Sequence, residues 1–159
     1  MKLTTKGRYA VTAMLDLALH DVAGPVCLSE IAGRQHISLP YLEQLFTRLR
    51  REGLVASTRG PGGGYNLGLA AAQVSVADII RAVDESFDNP RCGGKHDCSE
   101  DRLCLTHELW ESLGAEINRF LSGVTLAQLV QSHRARENSN AADEQPLTFV
   151  APRKRAVQS

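Results

Sequence analysis

Cys92, Cys98, Cys104 and His107 stand in one short stretch with the spacing C-x5-C-x5-C-x2-H, and they include three of the chain's four cysteines. Thiolates with an imidazole form a soft donor set that suits zinc, copper or an iron–sulfur cluster. Zinc sites usually pair cysteines about two to four residues apart. The wider gaps here suit a larger, multi-iron object without excluding zinc. Cys104 and His107 are three residues apart, so on a helix they share one side. That makes His107 the best-fitting fourth ligand, ahead of His96, Asp97 and Asp101. Iron–sulfur, zinc and an unmetallated redox switch all stay open on this chemistry.

The segment carrying these residues does not look able to order itself. Asp84–Leu103 is rich in Gly, Pro, Asp, Asn and Ser, with Phe87 and Leu103 as its only large apolar residues. Ordering residues 92–107 costs roughly 1–2 kcal/mol per residue in backbone entropy, more than two apolar side chains offset. A bound metal is worth far more, on the order of 10–16 kcal/mol for structural zinc in small peptides.

A second constellation lies upstream. Helical periodicity predicts a helix from Leu3 to about His20, a short helix over Leu28–Gln35, a turn at His36-Ile37, and a helix capped by Ser38 and running to about Glu52. Leu54–Thr58 and Tyr65–Leu67 read as two strands around the turn Gly60-Pro-Gly-Gly-Gly64. Helix, turn, helix, hairpin is the order of a winged helix-turn-helix, whose second helix enters the major groove. Ser38, Tyr41, Glu43 and Gln44 are placed to reach bases, and Arg48, Arg50 and Arg51 to meet phosphates. Glu43 repels phosphates and can accept from cytosine, so it discriminates. Arg59, beside Gly60, Gly62, Gly63 and Gly64, suits a narrow minor groove. Lys2, Lys6 and Arg8 add phosphate contacts. The glycine run is not a nucleotide loop, because no Gly-Lys-Ser/Thr follows it.

Val76–Val83 reads as a short helix. A long helix opens at or near Cys104, with the apolar stripe Trp110, Leu113, Ile117, Phe120 and Leu121, and Gly123 stops it. Thr125-x-x-Gln128 is a capping box for a last helix reaching about His133. Cys27 reads as a buried small hydrophobe. His20, His36 and His133 read as ordinary surface or boundary histidines.

Charge is uneven beneath a net charge of zero. Residues 1–66 carry eight basic and five acidic residues, whereas residues 67–137 carry seven and eleven. A basic first part hints weakly at a polyanion partner. Neither a signal peptide nor a bilayer-spanning run is apparent, so a cytoplasmic protein with no membrane partner is expected. In that compartment clustered cysteines favour metal or redox chemistry over disulfides.

The segments LTTKGRYAVTAMLDLAL, ISLPYLEQLFTRLRREGLV and RGPGGGY, together with C-x5-C-x5-C-x2-H, resemble the IscR family of bacterial iron–sulfur cluster regulators. The match runs from Met1 to about Gln131. Nitric-oxide-sensing NsrR proteins of the wider family share the three-cysteine spacing. The resemblance implies a homodimeric winged-helix regulator, not an enzyme, that binds promoter DNA and holds a [2Fe–2S] cluster on Cys92, Cys98, Cys104 and His107. The cluster-assembly machinery would be the cluster donor. It also implies promoter choice that differs between holo and apo forms, with Glu43 involved, and a minor-groove role for Arg59. One departure is visible: family members carry serine where this chain has Pro40, which has no donor.

The expected fold is thus mainly α with a small β-hairpin wing. It divides into a winged helix-turn-helix DNA-binding domain over 1–83, a cluster-binding loop over 84–103, a dimerisation helix and C-terminal helix over 104–136, and a disordered tail over 137–159. A zinc-stabilised interaction module and a metalloenzyme remain as other classes.

Overall fold

A computed structural model of the chain describes residues 5–83 and 107–139. The expected cluster-binding loop and most of the expected tail lie outside the described residues. The first helix, α1 (Thr5–His20), turns through a short 3-10 segment at Asp21–Ala23 into α2 (Leu28–Gln35) and α3 (Leu39–Arg51). Two antiparallel strands follow, β1 (Val55–Thr58) and β2 (Gly64–Leu67), then α4 (Val76–Ala82), α5 (His107–Gly123) and α6 (Leu126–Ser139). This is the mainly α winged architecture expected from the sequence.

The apolar spacing of α3 decides its orientation. Leu42, Leu45, Phe46 and Leu49 recur at three- and four-residue intervals and are 0–1% exposed, so one face is driven into the core. Ser38 holds the extended N-cap position and Pro40 sits in the first turn, where its missing N–H costs nothing. The Ser38 side chain makes no capping bond of its own. Gly53 ends the helix at φ 74°, a left-handed conformation that favours glycine.

The hairpin pairs Val55 with Leu67 and Thr58 with Gly64. It is not left hanging from α3. Val26 exchanges backbone bonds with Tyr65 at 2.9 and 2.8 Å, which adds a third short edge. Tyr65 also meets Phe46 edge-on, with ring centroids 5.0 Å apart. The root of the wing is therefore built into the core.

Helix α4 opens on a reciprocal cap, Asp78 N–H to Ser75 Oγ at 3.1 Å and Ser75 N–H to Asp78 Oδ2 at 3.0 Å. The capping box expected at Thr125 is present as well, with Thr125 N–H to Gln128 Oε1 at 2.9 Å and Gln128 N–H to Thr125 Oγ1 at 3.3 Å. The entries to α4 and α6 are stitched together by Val76 N–H to Val124 O at 2.9 Å and Leu126 N–H to Val74 O at 2.8 Å. This stitch turns the chain back so that α6 packs on α1.

Three expectations are corrected. Helix α6 continues to Ser139 rather than ending near His133, so residues 137–139 are helical and not the start of a tail. The straight-chain residues Arg134, Arg136 and Glu137 are good helix formers, and no glycine or proline stops the helix earlier. Cys27 is exposed, not buried. It caps α2 at the surface, where the Glu30 carboxylate accepts its N–H at 3.2 Å. Strand β1 begins at Val55, because Leu54 N–H is taken by Leu49 O in the turn that closes α3.

Helix α5 has an uneven environment. Leu109, Trp110, Leu113 and Phe120 are 60, 43, 40 and 43% exposed, while Ile117 and Leu121 are half-buried. Its other side is held to α4 by Arg81, whose guanidinium donates to Asn118 Oδ1 at 2.9 Å and Ser122 Oγ at 3.4 Å.

Candidate functional site

Burying Leu42, Leu45, Phe46 and Leu49 leaves the opposite face of α3 in water. That face runs from Leu39 and Pro40 through Glu43, Gln44 and Thr47 to Arg50 and Arg51, all exposed. Its neighbours fall at three- and four-residue steps, so it forms one continuous stripe. Glu43 and Gln44 sit at its centre and the arginines at its C-terminal end, where cations also complement the helix dipole. Ser38 is exposed at the N-terminal edge. Tyr41 is half-buried and meets Tyr9 edge-on at 5.9 Å, so it packs α3 against α1 more than it faces outward.

Arg48 departs from its expected place among the phosphate-facing residues. It is half-buried, and its guanidinium points to Val83 O at 3.4 Å, at the C-terminal end of α4. Arg50 is exposed and reaches Ser57 Oγ of β1 at 3.4 Å. The arginine run is thus split: Arg50 reaches the wing and Arg51 is exposed, whereas Arg48 joins α3 to α4.

The wing presents Arg59, exposed, at the end of β1. Gly60 and Gly62 adopt φ 103° and 74°, and Gly63 N–H closes the turn on Gly60 O at 2.9 Å. Gly64 is required for a different reason, since a Cβ there would lie 2.5 Å from Val26 O. Asp21 braces the far strand, accepting from the Asn66 side-chain amide and from Leu67 N–H at 3.3 Å. The Cys27 thiol donates to Gly63 O at 3.2 Å. Arg8 is exposed and Lys6 half-buried at the start of α1, while Lys2 lies outside the described residues.

The core holds a charged group that sequence reasoning missed. Asp16 is 2% exposed. It receives Arg34 Nε at 3.1 and 3.0 Å, Arg34 Nη2 at 2.6 Å and Gln35 Nε2 at 2.6 Å. His20 Nδ1 lies 3.5 Å from the same carboxylate. Burial pushes the carboxyl pKa up, but the bonds from Arg34 and Gln35 and the Arg34 charge outweigh it and hold the group below its ordinary value. The bonds to Asp16 in turn hold Arg34 above its ordinary value. The network locks α2 onto α1, and α3 packs against α2. The available signal was a carboxylate set among Met14, Leu17 and Ala18 on an apolar face, with only His20 of its own helix within reach.

Of the expected metal ligands, Cys92, Cys98 and Cys104 lie outside the described residues, and His107 is the first residue of α5. Among the described residues, no helix is long and apolar enough to cross a membrane.

The sequence profile of the Rrf2 family, described as an iron-dependent transcriptional regulator, matches residues 3–132. The chain belongs to the Rrf2 family. Within it, the chain is 56% identical over 151 residues to the HTH-type transcriptional regulator IscR of Erwinia tasmaniensis, covering 92% of each chain. It is 60% identical over 132 residues to IscR of Serratia proteamaculans, covering 83% of this chain and 80% of that one. Among solved structures, T. potens IscR aligns with a TM-score of 0.68 at 38% identity, covering 92% of this chain and 94% of the other. CymR, the global cysteine regulator of B. subtilis, aligns with a TM-score of 0.71 at 36% identity, covering 83% and 98%. These Rrf2 relatives make the chain an IscR-type transcriptional regulator rather than an enzyme.

Proposed function

We propose that this Rrf2 regulator is a cytoplasmic homodimer that reports iron–sulfur cluster status to promoters, including those of cluster-assembly genes. The observation that carries the reading is the continuous exposed stripe of α3, with Glu43 and Gln44 at its centre, flanked by Arg50, Arg51 and the wing's Arg59. Glu43 and Gln44 read base edges in the major groove, and Arg50 and Arg51 hold the phosphates on either side. Arg59 enters the adjacent minor groove on its glycine turn. The exposed apolar side chains of α5 form the two-fold contact with a second copy, where each row covers its own equivalent.

Cys92, Cys98, Cys104 and His107 would hold a [2Fe–2S] cluster delivered by the cluster-assembly machinery. Three thiols and an imidazole fit that group by softness and by charge. When bound, it supplies a redox-active cross-link across residues 92–107. The chain's own residues then offer a route to DNA. Arg81 fastens α4 to α5, and Arg48 of α3 lies against the carbonyl of Val83, the C-cap of α4. A change in how α4 ends is therefore felt at the helix that carries Glu43. In this reading promoter choice differs between holo and apo protein through how well Glu43 is accommodated.

The test is anaerobic purification of the full chain. Coloured protein with equal iron and acid-labile sulfide is expected, and Cys92→Ala should be colourless while keeping affinity for a subset of selected promoter duplexes. Colourless parent protein carrying zinc would overturn the cluster.

A further inference from the structure

The recognition face of α3 opens on an apolar edge that the assigned base readers do not use. Leu39 is 38% exposed, whereas Leu42, Leu45, Phe46 and Leu49 are 0–1% exposed. Pro40 beside it is exposed as well. Pro40 carries neither a backbone N–H nor a polar side-chain atom, so it offers a partner only carbon. One turn beyond Glu43, Thr47 spends its hydroxyl proton on Glu43 O at 2.7 Å, which leaves its methyl free for contact. Along the stripe the order is apolar, then Glu43 and Gln44, then apolar, then Arg50 and Arg51.

That order identifies the occupant. The arginines call for a polyanion, and the N-terminal turn of a recognition helix is the part that meets base edges. The apolar group that the major groove presents is the thymine C5-methyl. We infer that Pro40 is a specificity-determining residue that packs on a thymine methyl beside the base pair read by Glu43 and Gln44. The inference rests on the DNA-reading role proposed for α3 and adds which base is preferred at its edge. Pro40 and Gln44 are one helical turn apart, about 5.4 Å, against about 3.4 Å per base step. The thymine therefore falls within about two base pairs of the base read by Gln44.

The full-length protein should be used to select duplexes from a randomised pool. In the recovered site, each thymine is replaced in turn by deoxyuracil, which lacks only the methyl. Affinity should fall about fourfold at one or two positions in each half-site, the worth of one buried methyl. Pro40→Ser should bind the same duplex with no further loss on that replacement, and Pro40→Asn gives the same readout should Pro40→Ser fail to fold. Indifference of the parent to every replacement overturns the inference while leaving the DNA-reading role intact. An undiminished loss in the Pro40 variant overturns it too. If no duplex is recovered, the DNA-reading role and this inference fall together.

Discussion

The Arg34 guanidinium reaches both oxygens of the Asp16 carboxylate, at 2.6–3.1 Å, and so clamps α1 to α2, the helix against which α3 packs. Removing the guanidinium leaves a carboxylate that is 2% exposed without its main partner. Arg34 itself is 35% exposed, so the pair is partly screened and worth less than a fully buried one. Arg34→Ala should lower the unfolding free energy by about 2 kcal/mol at neutral pH. The folded-state pKa of Asp16 is depressed, so its contribution is full above the unfolded value near about 3.9 and is lost as pH falls through the folded value. The deficit of Arg34→Ala should accordingly shrink on acidification below about pH 4. Urea titrations of parent and variant at neutral and acid pH check this, and a deficit independent of pH would show that Asp16 is not its source.

How far the sequence spoke depends on whether the information was local. Leu42, Leu45, Phe46 and Leu49 announce α3 and its buried face, and Thr125 with Gln128 announces the start of α6, because both signals lie within one or two helical turns. The Asp16–Arg34 clamp was invisible because its partners are 18 residues apart on different helices. Arg48 was read with Arg50 and Arg51 as one basic run, yet α4 arrives from 35 residues away to take it out of that face. Cys27 was misread for the same reason. A lone cysteine before a helix is usually packed inside, and nothing local indicated that Gly63 of the wing would accept from it at the surface. The helix expected from the apolar stripe is present as α5, which opens at His107.

Arg59 and Arg48 provide a matched test of that split. Arg59 is exposed on the wing, whereas Arg48 lies against Val83 O. Arg59→Ala should weaken duplex binding and flatten the log–log salt dependence by about 0.9 per lost phosphate contact. Arg48→Ala should leave the salt slope within error of the parent and instead lower the melting temperature, because its contact is inside the protein. Fluorescence anisotropy over a salt series, with thermal melts alongside, separates the two. Equal slopes for both variants would return Arg48 to the phosphate-binding set.

Leu113 sits 40% exposed in the middle of the apolar row on α5, away from the Arg81 contacts that hold this helix to α4. A carboxylate there should leave the fold of each copy unharmed, yet it would have to be desolvated in a two-fold interface, where it also meets its own equivalent. Leu113→Glu should raise the dimer dissociation constant by at least about tenfold, the equivalent of about 1.4 kcal/mol. Sedimentation equilibrium measures that change, and circular dichroism should show unchanged helix content. A variant that sediments as the parent does would mean that the apolar row of α5 is not the dimer contact.

Glu43 is the carboxylate at the centre of this face, beside Gln44, and it sits between Pro40 and Thr47 on the stripe. A carboxylate in the major groove is repelled by phosphates at every site and compensated only where a cytosine amino group can donate to it. Its net effect is to penalise wrong sites more than it strengthens right ones, which is how specificity differs from affinity. Glu43→Ala should therefore bind the best selected duplex with at most a modest change, while its affinity for duplexes altered at the cytosine rises by about tenfold, or about 1.4 kcal/mol of lost discrimination. The comparison should be made on protein lacking the cluster, where Glu43 has the most influence in the proposed reading. If Glu43→Ala keeps the parent's ratio between matched and altered duplexes, the discriminating group lies elsewhere on the stripe, and Gln44 becomes the residue to vary next.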